Sequence, residues 1–230
     1  MVIKTESQIS PRKSLGFYTS NEASRIALVP RWTLYNWKQS GIIIPTVKWT
    51  DEFNKEHLGH TFETVVFMRL LRLLRNKGIS LFKTVNALQQ LKERFGSPGK
   101  RWADARLFVD KQDVFVYEKK DKDNWGTTVA TRYNQRVAEF IFGDEFILLK
   151  DRADALLIPS EFMDFVEINP SIQNGLPIVL GTKILTSMIH NLKSQQYNDN
   201  SIRQMYPFIS LDKVRGAEKY EIYLDKATLN

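Results

Sequence analysis

Apolar residues recur at helical spacing through the first hundred positions. Ala23, Ile26 and Ala27 form one stripe, and Pro30, Leu34 and Trp37 (i, i+4, i+7) form a second that ends at Gly41. Thr19 or Ser20 caps the first segment with Glu22 in its first turn, and Pro30 suits the first turn of the next. Two short helices joined by Leu28-Val29 predict a helix-turn-helix. Ile42–Pro45 reads as a short extended piece, followed by a polar loop through Gly59, a wing, that contains Lys48, Trp49 and Lys55. Residues 61–77 predict a helix with Phe62, Val65, Val66, Leu70 and Leu73 inward and Arg69, Arg72 and Arg75 outward. Ser80 caps a further helix carrying Leu81, Val85, Leu88 and Leu91 up to Gly96.

The period changes after Ser97-Pro-Gly99. Arg106–Asp110 and Asp113–Tyr117 are β-branched and aromatic runs that predict a hairpin, with Lys119–Asn124 as a charged turn. Thr131–Phe142 fits a helix, and Phe146–Leu149, Ala155–Ile158 and Phe162–Ile168 fit strands. Residues 169–183 form an irregular loop shaped by Gly175, Pro177 and Gly181. Three short helices follow at about 185–194, 201–206 and 211–223, with Asn200 or Ser201 capping the second and Ser210 the third. The fold class is therefore α+β, mainly α. Its divisions are a flexible arm at 1–16, a winged helix-turn-helix at 17–96, a β-containing middle at 100–167 and a three-helix, helix-turn-helix-like module at 168–230.

Charge sharpens this picture. Residues 1–100 hold 16 basic and 7 acidic side chains, whereas residues 101–230 hold 17 and 19. A basic first half beside a near-neutral remainder suits a polyanion-binding module joined to a part with another task, and equally a surface that basic side chains merely keep soluble. At 43% hydrophobic and 26% charged residues, the chain is neither disordered nor fibrous in composition. It contains no cysteine, which excludes disulfides, thiol nucleophiles and cysteine-ligated metal. No apolar run reaches the roughly 18 residues of a membrane helix, and the first residues do not resemble a secretory signal. A soluble, cytoplasmic protein is expected.

Catalytic chemistry has little to build on. The histidines are His57, His60 and His190, and none lies in a zinc-binding helix pattern. A metal site from His57, His60 and Asp51 or Glu63 is conceivable, but packed or exposed histidines are the simpler reading. There is no phosphate-binding Gly-Lys-Ser/Thr loop and no dinucleotide glycine fingerprint. No catalytic residue, metal or cofactor is expected.

Two segments resemble known families. Residues 17–95 resemble the DNA-binding domain of MerR-type regulators, through the Tyr-Thr start, Val29-Pro-Arg-Trp-Thr-Leu-Tyr-Asn-Trp37 and Gly41-Ile-Ile-Ile-Pro45. From His60-Thr-Phe through Lys77-Gly-Ile-Ser-Leu81 to Phe95-Gly96 the chain is similar to the variant found in Vap-type antitoxins. Residues 168–224 resemble the small C-terminal domain of unknown function in those antitoxins. The matching residues are Asn169-Pro-Ser, Gly175-Leu-Pro-Ile, Gly181-Thr-Lys, Ser201-Ile-Arg…Tyr206-Pro and Val214…Ala217…Tyr220. The resemblance implies an antitoxin that represses its own operon and binds a PIN-like endoribonuclease toxin. The chain departs from the regulator pattern at Tyr35-Asn36, where Arg-Tyr is usual, and at Lys183, where Arg often stands. It also lacks the usual long dimerising helix and effector pocket.

In the second helix, Arg31, Tyr35 and Lys38 (i, i+4, i+7) lie opposite Leu34 and Trp37. Two cations and a phenol suit a groove edge, with Arg31 on a guanine or phosphate and the others on the backbone; a solvated helix face is the plainer alternative. Trp32, Asn36, Lys48 and Trp49 complete the DNA-binding set, although Trp32 also suits packing and the wing residues also suit plain loop charge. The expected partners are double-stranded operator DNA, the toxin and a second copy in a homodimer. The alternative is a MerR-like regulator sensing a small molecule through a cavity at Phe115, Tyr117 and Trp125. A nucleic-acid enzyme is the remaining rival, weakened by the poor ligand set.

Overall fold

A computed structural model describes residues 16–96, 105–110, 113–121, 124–129, 139–140 and 154–229. The architecture is α+β and mainly helical. It opens with β1 (Tyr18–Thr19), α1 (Ser20–Ile26) and α2 (Arg31–Gln39), followed by β2 (Val47–Thr50) and β3 (Glu56–His60). Helices α3 (Phe62–Asn76) and α4 (Leu81–Phe95) come next, then β4 (Ala105–Asp110), β5 (Asp113–Asp121), β6 (Asn124–Val129) and β7 (Glu139–Phe140). Strands β8 (Val166–Glu167) and β9 (Ile178–Val179) precede α5 (Thr186–Ser194), α6 (Asp199–Met205) and α7 (Leu211–Leu229).

Local sequence explains most helix ends. Thr19 and Glu22 form a reciprocal capping box on α1, Thr61 caps α3, and Ser80 caps α4. Asn198, rather than Asn200 or Ser201, caps α6 by accepting from the Ser201 amide at 2.9 Å. Ser210 accepts from the Lys213 amide at the start of α7.

Several expectations for the strands are corrected. The polar loop before Gly59 contains two antiparallel strands, β2 and β3, and β1 adds to the β3 side. The alternation of half-buried and exposed residues along Val47–Thr50 is the pattern of a strand with one covered face. Strand β5 continues through Asp121, so the charged turn is confined to a shorter span, and a third strand, β6, follows it. The sheet order is β6-β5-β4-β7, all antiparallel. The helix expected at 131–142 gives way to strand at Glu139–Phe140, and its remainder lies outside the described residues, as do 146–149. Ala155–Ile158 is a buried turn whose Leu157 and Ile158 amides bond to the Asp154 carbonyl. Only Val166–Glu167 of the run 162–168 is extended.

The core does not follow sequence order. One cluster joins Tyr18, Ile26, Leu34, Trp37, Val65, Leu70 and Leu88 to Leu157, Ile158 and Phe162, and to Tyr220 and Leu224 of α7. A second cluster, Val179, Ile189, Ile202, Ile209, Val214 and Ala217, lies among α5, α6 and α7. Helix α7 therefore carries one apolar stripe with two partners. Val214 and Ala217 face its own module, whereas Tyr220 and Leu224 enter the N-terminal core. Each fully buried side chain of this size contributes roughly 1.5–3 kcal/mol. Gly216 sits where the Phe165 ring crosses α7, and a Cβ there would overlap that ring.

Candidate nucleic-acid interface

Helix α2 is rooted from below. Leu34 and Trp37 are buried, and α1 presents Ala23, Ile26 and Ala27 to the same core. Leu28 takes φ +55 in the turn, and the buried Ser24 hydroxyl donates to the Val29 carbonyl at 2.5 Å. That bond satisfies a carbonyl in the turn between α1 and α2.

The opposite face is open. Arg31 is exposed, Trp32 is 70% exposed and Tyr35 is 55% exposed. The Trp32 and Tyr35 rings lie nearly parallel, 17° apart in plane with centroids at 6.2 Å. Arg31, Trp32, Tyr35 and Lys38 line one shallow depression together with Ser20, Asn21 and Leu34. Lys38 donates to the Ser20 hydroxyl at 3.3 Å, and that oxygen lies 3.4 Å from His60 Nε2. Burial, reinforced by the nearby Lys38 charge, lowers the His60 pKa to about 4. A neutral His60 thus backs the cationic face without adding charge to it.

The wing is organised by aromatic packing. Trp49 stacks on His57 at 5.1 Å and meets Phe17 edge-on at 4.4 Å. His57 bonds to Asp51 at 2.7 Å, and Asp51 also accepts from the Phe53 and Lys55 amides, closing the wing turn. The His57 bond, with these amides, holds the Asp51 carboxyl below its usual range. Lys48 is exposed on the outer side of β2, opposite Leu58 on β3.

The structure gathers four of the seven expected DNA-contacting residues, Arg31, Trp32, Tyr35 and Lys38, into one surface. Asn36 is half-buried outside that depression, and Trp49 is packed within the wing. Ser20 and Asn21 join the surface unexpectedly. The Thr19–Glu22 capping box was the signal, because it leaves the next two residues in the first turn of α1. Arg69 leaves the outward row of α3: it is half-buried against α7, where Tyr223 bonds to it, and burial lowers its pKa. His57 and His60 face different partners, and no cluster of three or more metal-ligating side chains occurs among the described residues.

The C-terminal module holds this surface in place. Arg25, in the last turn of α1, pairs with Glu221 at 2.7 Å and Asp225 at 2.8 Å on α7. Burial opposes the Arg25 charge, but the two carboxylates outweigh it and raise the pKa. Glu221 is itself buried and accepts from the Thr186 hydroxyl. Tyr18 donates to the Gly175 carbonyl at 2.7 Å, and Phe17 N–H bonds to Asn174. Gly175 has φ +85 and lies so close to the Tyr18 hydroxyl that no Cβ fits. The loop glycine is thus a seat for the N-terminal domain.

Among protein families, the model described as a protein of unknown function (DUF433) matches residues 166–220. Among solved structures, the X-ray crystal structure of Rv2018 from Mycobacterium tuberculosis is similar, with a TM-score of 0.52 and 16% identity. That match covers 87% of this chain and 96% of the other, and at such identity it speaks to fold alone. No curated protein is significantly similar to the chain. No helix among the described residues is long and apolar enough to cross a membrane.

Proposed function

We propose that the chain is a sequence-specific, duplex-DNA-binding antitoxin of a type II toxin–antitoxin system. It represses its own operon as a cytoplasmic homodimer and neutralises a PIN-like endoribonuclease toxin by direct binding. It works by occupancy and masking, with no chemistry of its own. The observation that carries the DNA part is the open face of α2. Arg31 has no ion-pair partner among the described residues, Lys38 meets only a hydroxyl, and two aromatic rings stand exposed between them. A helix whose other face is anchored in a core presents such a surface to a major groove. The antitoxin part rests on the resemblance of 17–95 and 168–224, and the DUF433 match at 166–220 overlaps the second segment.

The test is growth rescue from the toxin alongside binding to DNA upstream of the chain's own reading frame. Arg31→Ala and Tyr35→Ala should weaken DNA binding and preserve rescue, because the masking surface is assigned beyond residue 97. An Arg31→Ala protein that is folded and operator-bound yet fails to rescue would make α2 a protein-binding surface. Rescue-independent DNA binding that responds to a small molecule would favour the regulator alternative.

A further inference from the structure

We propose that Trp32 and Tyr35 form an apolar platform that packs on thymine C5-methyl groups in the major groove, selecting A·T pairs beside the base or phosphate held by Arg31. The inference rests on the duplex-DNA reading of α2 and names what that face recognises.

The core makes no use of these rings. Leu34 and Trp37 fill the inward side of α2, leaving Trp32 70% and Tyr35 55% exposed with their planes 17° apart. A single exposed ring is ordinary, but these two lie side by side, and contiguous apolar surface is what marks a binding site. Its surroundings decide the partner. Arg31 and Lys38 border the same depression and meet no carboxylate among the described residues, so an apolar protein surface would have to bury two cations. Duplex DNA meets the cations with phosphate and the rings with base edges.

Within the duplex, phosphates offer nothing to ring faces. Helix-turn-helix proteins place the N-terminal residues of the second helix against base edges, and Trp32 and Tyr35 are the second and fifth residues of α2. In the major groove, thymine alone presents a methyl group, while guanine and cytosine present polar atoms that aromatic faces would leave without partners. Lys38, nearer the helix end and bonded to Ser20, is left for the sugar–phosphate backbone.

The experiment measures binding of the full chain to its own upstream duplex by fluorescence anisotropy, with thymines replaced singly by deoxyuridine. The replacement keeps base pairing and removes only the methyl. Each contacted methyl should account for about a fourfold loss of affinity. The Trp32→Ala/Tyr35→Ala protein should bind more weakly and ignore the replacements; both side chains are exposed, so its thermal melt should match the unaltered chain. Tight duplex binding that no uridine replacement changes overturns the methyl assignment and leaves the DNA reading standing. Equal binding to the single strand, insensitive to uridine, makes the rings a base-stacking platform and also overturns it. If the unaltered chain does not bind duplex DNA, the proposed function falls first and this inference with it.

Discussion

Helices α2 and α7 both carry cations, and they dispose of them in opposite ways. On α7, Arg215 bonds to Asp199 at 2.7 Å, and Lys213 donates to the Leu180 carbonyl. Lys193 of α5 joins the same carboxylate at 2.7 Å and approaches Glu218 at 3.7 Å. These partners raise the Lys193 and Arg215 pKa values and lower that of Asp199. Helix α2 contains no acidic residue, and Arg31 finds none elsewhere among the described residues. The cations of α5 and α7 are thus tied into the C-terminal module, while Arg31 of α2 has no ion pair among the described residues. Removing a cation should therefore act on stability in the C-terminal module and, on the proposed function, on binding at α2.

The deepest cut is the root of α2. Leu34→Ala should cost roughly 2–5 kcal/mol, because Leu34 is 2% exposed and backed by the core. Urea unfolding should show a lower midpoint, and an unchanged midpoint would mean that α2 is not anchored as described. The joint between the two regions comes next. Arg25→Ala strands the buried Glu221 carboxylate with Thr186, and about 3 kcal/mol should be lost, the low end for a broken buried pair because Arg25 is partly exposed. Lys193→Ala, at the charge cluster inside the module, should cost no more than about 1 kcal/mol. Equal losses at the two sites would erase the distinction between joint and surface.

Acidification probes the underside of the exposed α2 face. His60 titrates at about 4 in the folded chain and near 6.5 when unfolded, so the unfolded state binds more protons between those values. Stability should fall as pH drops from 6.5 to 4, by up to about 3 kcal/mol, and His60→Asn should flatten the slope in that window. Asp51 and Asp199, whose pKa values are lowered, should lose their contributions only below the ordinary carboxylate range. A slope that persists in the His60 variant would assign it to another group.

The helices were legible because their apolar stripes and caps are local. The 3.6-residue spacing of Leu34 with Trp37, and of Val214, Ala217 and Tyr220, survives intact in the fold. What failed either carries no period of its own or depends on distant chain. The apolar run Ala155–Ile158 carries no period that separates a strand from a buried turn, and its backbone bonds to Asp154. Arg69 turns inward only because α7, some 150 residues later, brings Tyr223 to it. Of the candidate site, the Arg31, Tyr35 and Lys38 face was readable from spacing alone, whereas for Trp32 spacing left packing and exposure equally open. Its bracing by Arg25, Glu221, Tyr18 and Gly175 was not, because those pairs span most of the chain.

The proposed function requires that Arg31 and Lys38 of α2, which meet no carboxylate among the described residues, serve duplex DNA. Its most direct measurement is the salt dependence of binding to the upstream duplex for the unaltered chain and for Arg31→Ala, with unfolding midpoints recorded in parallel. For a dimer making about 6–10 phosphate contacts, affinity should fall on the order of a thousandfold or more between 50 and 200 mM salt. Arg31→Ala should leave stability within about 0.5 kcal/mol. If Arg31 holds a phosphate, its loss should flatten the salt slope by about one per contact; if it reads a guanine, about 1–3 kcal/mol should vanish at one position of each half-site. Binding that ignores salt, or an Arg31→Ala protein with unchanged affinity and specificity, would contradict the account.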